Sequence, residues 1–421
     1  MNNRSGSGAL AMDGGTPVRS EPFPPRGNVT EDEKAAVTAL FDAAIAGGSM
    51  PGYNGEQETA YCEEFSQAVG GGFADAVSSG TAALYVALRA LELEPFTEVI
   101  VGAVTDPGGM MPIPLLNLVP VIADVAPGSY NTGPDQVAEL ISPLTSAIVV
   151  PHIGGEPADI AGIVALAKAR GIPVIEDCAQ SHGAALHGRP IGAFGDLAVF
   201  STMFGKHHST GGQGGLVFTR DERLYQAVRR ASDRGKPFFM PPGSTNVMAS
   251  LNLNLNDLAA AIGRVQLRKL PAYIARRRQL VQQLAEGLAT LRSVALPASL
   301  PGASPSYWFL RLQFHPESVS CDKRTFCRAL AAEGLPISED YRAALPHTME
   351  WYARRRVFGS SQYPWSSPDY KGDPKRAFLC PNVRQVMDSC FNLYLHEGWT
   401  DRDLADALAV LEKVEAAFSR D

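Results

Sequence analysis

A lysine that is to act as a nucleophile needs a confined setting that disfavours its ammonium form. Lys206 has one: in LAVFSTMFGKHHSTGGQGGLVF an apolar strand delivers Ser201, a short loop carries the lysine, and Gly211, Gly212, Gly214 and Gly215 return the chain to a second apolar strand. Such an amine can form a Schiff base, and the glycines permit close approach of backbone to a planar ligand. IPVIEDCAQSHGA ends another apolar strand in Glu176 and Asp177, and ligands of parallel sheets bind beyond the carboxyl ends of the strands. A carboxylate buried there needs a cationic partner, which a protonated heterocyclic nitrogen supplies, unless it simply caps a turn. AVSSGTAALYVAL joins strand to helix through Ser79, Gly80 and Thr81. Helix-terminal amides, the helix dipole and hydroxyls favour a phosphate there, although an ordinary helix cap uses the same residues. In STNVMASLNLNLNDLAAAIG, Asn256 reads as a helix cap, whereas Asn252 lies too far upstream to cap. Cys178 and His182 read as packed neighbours, because spacing places no third metal ligand.

The elements that must position these residues alternate. ADAVSS, EVIVG, VPVIAD, SAIVVPH, IPVIED, LAVFS and GLVFT are short apolar runs separated by helical periods. Strands without a polar face indicate an α/β protein with a mainly parallel sheet covered by helices on both sides. Residues 1–20 are small and polar and predict a loose tail; 21–270 form the large domain; 271–421 form a linking helix, interrupted at Pro271, and a smaller α+β domain. The first helix starts at a capping box, Thr30 with Glu33, and repeats Val37, Leu40, Phe41, Ala44 and Ile45 on one face. SYWFLRLQF alternates like a half-exposed strand, and the last helix starts at Thr400. FGSSQYPWSSPDYKGDPKR, with Tyr363, Trp365 and Tyr370, reads as a binding loop. Arg276 to Arg278 and Arg354 to Arg356 read as solvated helix faces.

With 421 residues, 45% hydrophobic, 19% charged and a net charge of −7, the chain is long enough for a large core and carries no positive field for nucleic acid or an anionic membrane. Any phosphate must be held by a local site. Six cysteines, at 62, 178, 321, 327, 380 and 390, form no C-x-x-C pair and point to reduced thiols in the cytoplasm. No apolar run approaches signal or membrane-spanning length.

SSGTAAL, IEDCAQSHGA, GRPIGAFGDLAVFS, a lysine ahead of a GG-Q-GG turn, and LNLNDLAAAIGRVQL together resemble the DegT/StrS-type sugar aminotransferases, which use pyridoxal phosphate (PLP). The resemblance implies a PLP-transferase fold of type I with Lys206 as the Schiff-base lysine and Asp177 paired with the pyridinium nitrogen. Gln180 would touch the phenolic oxygen, and Gly80, Thr81 and Ser201 would hold the phosphate. Asn252 would reach the phosphate of a neighbouring subunit's cofactor, which implies a homodimer with shared sites. The implied reaction moves an amino group from glutamate or glutamine to a keto-sugar or ketocyclitol, in amino-sugar or aminocyclitol biosynthesis; no metal is implied. Relatives commonly follow the threonine equivalent to Thr105 with a stacking aromatic, and Asp106 stands there instead. Gln213 and Asn254 replace a usual acid and a usual arginine. Two alternatives stand beside this: a pyridoxamine-phosphate-dependent sugar dehydratase with His207 as base, and a PLP-binding regulator without turnover. A lysine at an accepted spacing, with the Ala179-Gln180 pair, favours transamination.

Overall fold

Seven strands build the centre of the computed structural model, which describes residues 9–420. In spatial order they are Phe73–Val77, Gly215–Thr219, Leu197–Ser201, Val174–Asp177, Thr145–Pro151, Glu98–Gly102 and Val119–Ala123. Gly215–Thr219 runs antiparallel to both neighbours; the pairs among the remaining strands are parallel. Successive side chains leave a strand on opposite faces. Val99, Val101, Ile175 and Val217 accordingly enter one core, and Ile100, Val174, Leu216 and Phe218 the other, so both faces are dry. This is the α/β architecture that the apolar runs predict.

The helix Asp257–Leu288 is continuous through Pro271, where an interruption was expected. Its packing overrides the local break. Leu267, Leu270 and Ile274 join a core of the large sheet, and Leu280, Val281, Leu284 and Leu288 join the core of the C-terminal part. That part holds a four-stranded antiparallel sheet, in the order Val294–Ala295, Leu310–Phe314, Cys390–Leu393, Ile337–Ser338. The helices Lys323–Ala332 and Asp401–Phe418 pack on it through Phe326, Leu330, Ala407 and Leu411.

Residues 9–20 do not trail as composition suggests; residues 1–8 lie outside the described range. Leu10 is buried in the C-terminal core, Glu333 accepts from the Ala11 and Val18 amides at 2.8 and 2.9 Å, and Arg19 pairs with Asp403 at 2.6 Å. The polarity of this segment is spent on long-range partners. The capping box at Thr30 forms, but the apolar face of Glu31–Gly47 stays open, with Phe41 44% and Ile45 79% exposed.

The aromatic loop also departs from expectation. Trp365 and Tyr370 are buried against Val119, and the Tyr370 hydroxyl donates to Glu98 at 2.8 Å. They anchor the loop to the sheet edge and are not free to meet a ligand. All six cysteines are free, and no helix among the described residues is long and apolar enough to cross a membrane.

Candidate active site

Strand ends and turns at one edge of the large sheet enclose a cavity of about 270 Å³, lined by Gly80, Thr81, Asp106, Gly109, Asp177, Ser201, Lys206 and Gln213 among others. Five of the seven residues singled out for cofactor chemistry therefore meet in one place.

Ser79 caps the helix Gly80–Ala90 by accepting from the Ala82 amide at 3.0 Å. The cap leaves Gly80 and Thr81 lining the cavity, so capping does not compete with the phosphate expectation. A Cβ on Gly80 would sit 2.6 Å from the Ser201 Cβ, so only glycine lets the helix start approach the strand end this closely. Gly80→Ala would ordinarily favour a helix by about 1 kcal/mol. Here the contact wins, and we expect phosphate-ester affinity, followed by calorimetry with PLP, to fall at least about tenfold, more than that helical gain returns.

Asp177 is buried, and one carboxylate oxygen accepts from the Ala179 amide at 3.0 Å. Burial pushes its pKa up, opposed by that hydrogen bond and by the Lys206 charge. Such a group gains from a cation brought into the cavity. Its other oxygen faces Gly109, where a Cβ would lie only 2.9 Å away. Glu176, one residue earlier on the strand, points to the opposite face. It is fully buried and accepts from the amides of Gly192, Phe194 and Gly195 at 2.8, 2.6 and 2.7 Å. It fixes a turn and takes no part in the cavity.

Lys206 is 6% exposed, and its Nζ lies 3.9 Å from the centroid of the Trp308 ring. Burial pulls its pKa down to about 8, against the opposing pull of Asp177 and Asp106. If Lys206 is the lysine that takes PLP, its free amine is the reacting form, so covalent capture should rise with pH with a midpoint near 8 rather than the ordinary 10.5. Stopped-flow absorbance between pH 6 and 10 checks this.

His207, the base of the dehydratase alternative, does not line the cavity. It is fully buried, with Nε2 3.1 Å from the Ser306 carbonyl, and burial holds its pKa well below the ordinary value. His208 meets the Tyr61 hydroxyl at 2.6 Å, and His182 meets the Ser201 carbonyl at 2.8 Å. These histidines are packing groups around the lysine turn. Of the glycines in that turn, Gly214 and Gly215 are demanded by protein rather than ligand. Cβ atoms there would lie 2.2 Å from Thr210 Oγ1 and 2.5 Å from the Ser79 carbonyl oxygen.

Two candidate residues fall outside the cavity lining. Gln180 is buried, its carbonyl accepting from the Gly154 amide at 2.8 Å and its amide donating to the Tyr341 hydroxyl at 2.9 Å. Asn252 is exposed, with its Oδ1 accepting from Asn254 Nδ2 at 2.6 Å. Asp106 lines the cavity where an aromatic was noted as missing; it accepts from the Gly108 amide at 2.9 Å and opens the turn Pro107–Gly109. Sequence reasoning did not find Trp308 or Tyr341. Both come from the C-terminal part, with no local motif to mark them.

The residues present fit PLP. A glycine-lined helix start and two hydroxyls suit its phosphate, a buried carboxylate in want of a cation suits its ring nitrogen, and a desolvated amine suits its aldehyde.

Comparisons with known proteins state the family of this α/β fold and its cavity. The model of the DegT/DnrJ/EryC1/StrS aminotransferase family matches residues 31–410. A Streptomyces kanamyceticus protein described as an L-glutamine:3-amino-2,3-dideoxy-scyllo-inosose aminotransferase is 32% identical over 419 residues, covering 96% of each chain. A dTDP-4-dehydro-2,3,6-trideoxy-D-glucose 4-aminotransferase from Saccharopolyspora spinosa is 34% identical over 252 residues, 57% of this chain and 65% of that protein. Among solved structures, the aminotransferase TlmJ from Streptoalloteichus hindustanus superimposes with a TM-score of 0.79 at 27% identity, covering 94% of this chain and 99% of that one. The chain belongs to the DegT/DnrJ/EryC1/StrS aminotransferase family. It is an aminotransferase of the PLP-dependent kind.

Proposed function

We propose that the cavity binds PLP and that the enzyme moves an amino group from glutamine or glutamate to a ketone on a sugar or cyclitol ring. The observation that carries this is the meeting of Lys206, Asp177 and the Gly80, Thr81 and Ser201 group in one cavity. When bound, PLP supplies an electron sink for the carbon that loses its proton. Asp177 would pair with the ring nitrogen and hold its proton. Lys206 would hold the aldehyde end of the cofactor and, as a free amine, its Nζ would take up and return a proton there. A pKa near 8 leaves part of that amine neutral at neutral pH, which proton removal requires. Gln180 would reach the phenolic oxygen by exchanging its Tyr341 hydrogen bond.

Glutamine as donor and an inosose-like ketocyclitol as acceptor are favoured by the Streptomyces kanamyceticus relative, whose likeness extends over nearly the whole of both chains. The product would serve aminocyclitol antibiotic assembly in the cytoplasm. The enzyme acts as a homodimer, with Asn252 serving the partner's site. Its exposure outside its own chain's cavity, and the exposure of Phe239 (60%) and Leu251 (53%), support this.

The test is turnover. PLP-loaded protein should lose its visible absorbance on adding glutamine and regain it on adding a keto-inositol. Recovery only with a dTDP-linked keto-sugar would move the acceptor to the nucleotide-linked class, and no response to glutamine or glutamate would leave a regulator. Sedimentation equilibrium checks the dimer, and a monomer with full cofactor occupancy would contradict the role of Asn252.

A further inference from the structure

The carbonyls of three successive residues, Gly205, Lys206 and His207, are each held by a side chain from outside their turn. Trp308 Nε1–H donates to Gly205 at 3.0 Å. Arg26 donates from one terminal nitrogen to the Lys206 carbonyl and from the other to the His207 carbonyl, the latter at 2.5 Å. Its Nε pairs with one oxygen of Glu397 at 2.6 Å, and the other oxygen takes Arg277 Nε, also at 2.6 Å. Arg277 in turn donates to the backbone carbonyls of Tyr307, at 2.5 Å, and Trp308, at 3.3 Å. The path closes on itself: turn, Arg26, Glu397, Arg277, Trp308, turn.

The ring is inside the protein. Side-chain exposure is 2% for Arg277, 7% for Glu397 and 15% for Arg26. Burial alone would raise the Glu397 pKa, and the two guanidinium groups hold it below the ordinary value, so it stays ionised. Buried cations are costly unless each is paired and hydrogen-bonded. Two of them serve one turn here, a large outlay for stability that apolar residues could provide as well. What the ring does achieve is specific. It fixes the peptide carbonyl on each side of Lys206 together with the His207 carbonyl, which sets the direction in which the lysine leaves the backbone. It also fixes the Trp308 ring 3.9 Å from Nζ. A lysine has four rotatable bonds, and reacting groups lose rate steeply when displaced by about 1 Å.

We propose that Arg26, Glu397, Arg277 and Trp308 form a positioning ring for Lys206, with Arg26 as its one member from the N-terminal segment. This rests on the reading of Lys206 as the lysine that takes the cofactor. The experiment compares Arg26→Ala, Arg26→Lys and Trp308→Phe in the full-length protein, with Arg19→Ala as control. Arg19 anchors the same segment to Asp403, away from the lysine. The readouts are the rate at which added PLP develops visible absorbance, the pH midpoint of that absorbance, and thermal melting.

Arg26→Ala and Trp308→Phe should slow capture at least about tenfold and shift the pH midpoint, and Arg26→Lys should recover part of both. Arg19→Ala should lower melting while leaving rate and midpoint at wild-type values. A folded Arg26→Ala that captures PLP at the wild-type rate with the wild-type midpoint overturns the proposal. If Arg26→Ala fails to fold, Trp308→Phe decides by the same two readouts. Borohydride reduction of the wild type separates the two levels: PLP fixed elsewhere than Lys206 removes the underlying reading, whereas PLP on Lys206 with indifferent ring variants removes only this one.

Discussion

Lys206→Ala should abolish amino transfer, lowering kcat by at least about 10,000-fold, because it removes covalent attachment and proton transfer together and each is worth roughly 100-fold or more. Neither neighbouring histidine is placed to substitute. His207 is turned to the Ser306 carbonyl and His208 to Tyr61. Stability moves the other way. The folded lysine has a pKa near 8, below the ordinary 10.5, so between these values the folded state binds fewer protons than the unfolded one. Its burial cost is therefore fully present below pH 8 and disappears above about 10.5. That cost, about 3 kcal/mol by the size of the shift, exceeds the ~1–2 kcal/mol of stem packing the variant loses. Melting of Lys206→Ala at pH 7 should not fall below wild type, and any advantage should vanish as pH passes 10. Kinetics and calorimetry on the same preparations check both halves.

Asp177→Asn should lower kcat roughly 100- to 1,000-fold, the equivalent of about 3–4 kcal/mol, in the range lost when a buried charge pair is broken. The substitution keeps the shape and the Ala179 hydrogen bond but supplies no charge to hold the ring nitrogen protonated. The loss should fall on kcat more than on KM, because that charge matters most when negative charge flows into the ring. Asp177→Glu should not rescue, since the added methylene meets the wall at Gly109, where even a Cβ on that residue would lie 2.9 Å from the carboxylate. Steady-state kinetics in glutamine, with the visible spectrum as control for cofactor content, decide the matter.

The parts of the site that could be read along the chain are those whose neighbours in space are also neighbours in sequence. Lys206 sits in its own turn, Asp177 ends its own strand, and Ser79 to Thr81 open their own helix. A parallel sheet then brings such ends to one edge whatever lies between. Trp308 was illegible because it approaches Lys206 from the bend just before the strand Leu310–Phe314, about one hundred residues later, in a segment whose alternation speaks only of burial. Arg19 was hidden for the same reason, since a polar segment in search of distant partners looks like a tail, and Arg26, just beyond that segment, carries no local motif. The loop around Trp365 misled in the opposite direction: its Gly, Pro and aromatic content suggested a ligand, yet Trp365 and Tyr370 satisfy the sheet edge. Gln180, expected to touch the phenolic oxygen, lies outside the cavity lining and gives its hydrogen bonds to Gly154 and Tyr341.

The most direct measurement is borohydride reduction of PLP-loaded protein followed by proteolysis and mass spectrometry. The account predicts a single phosphopyridoxyl group on the peptide containing Lys206, at about one per chain, and none in the Lys206→Ala variant. PLP-loaded protein with no label on Lys206, or with the label on another lysine, would contradict it.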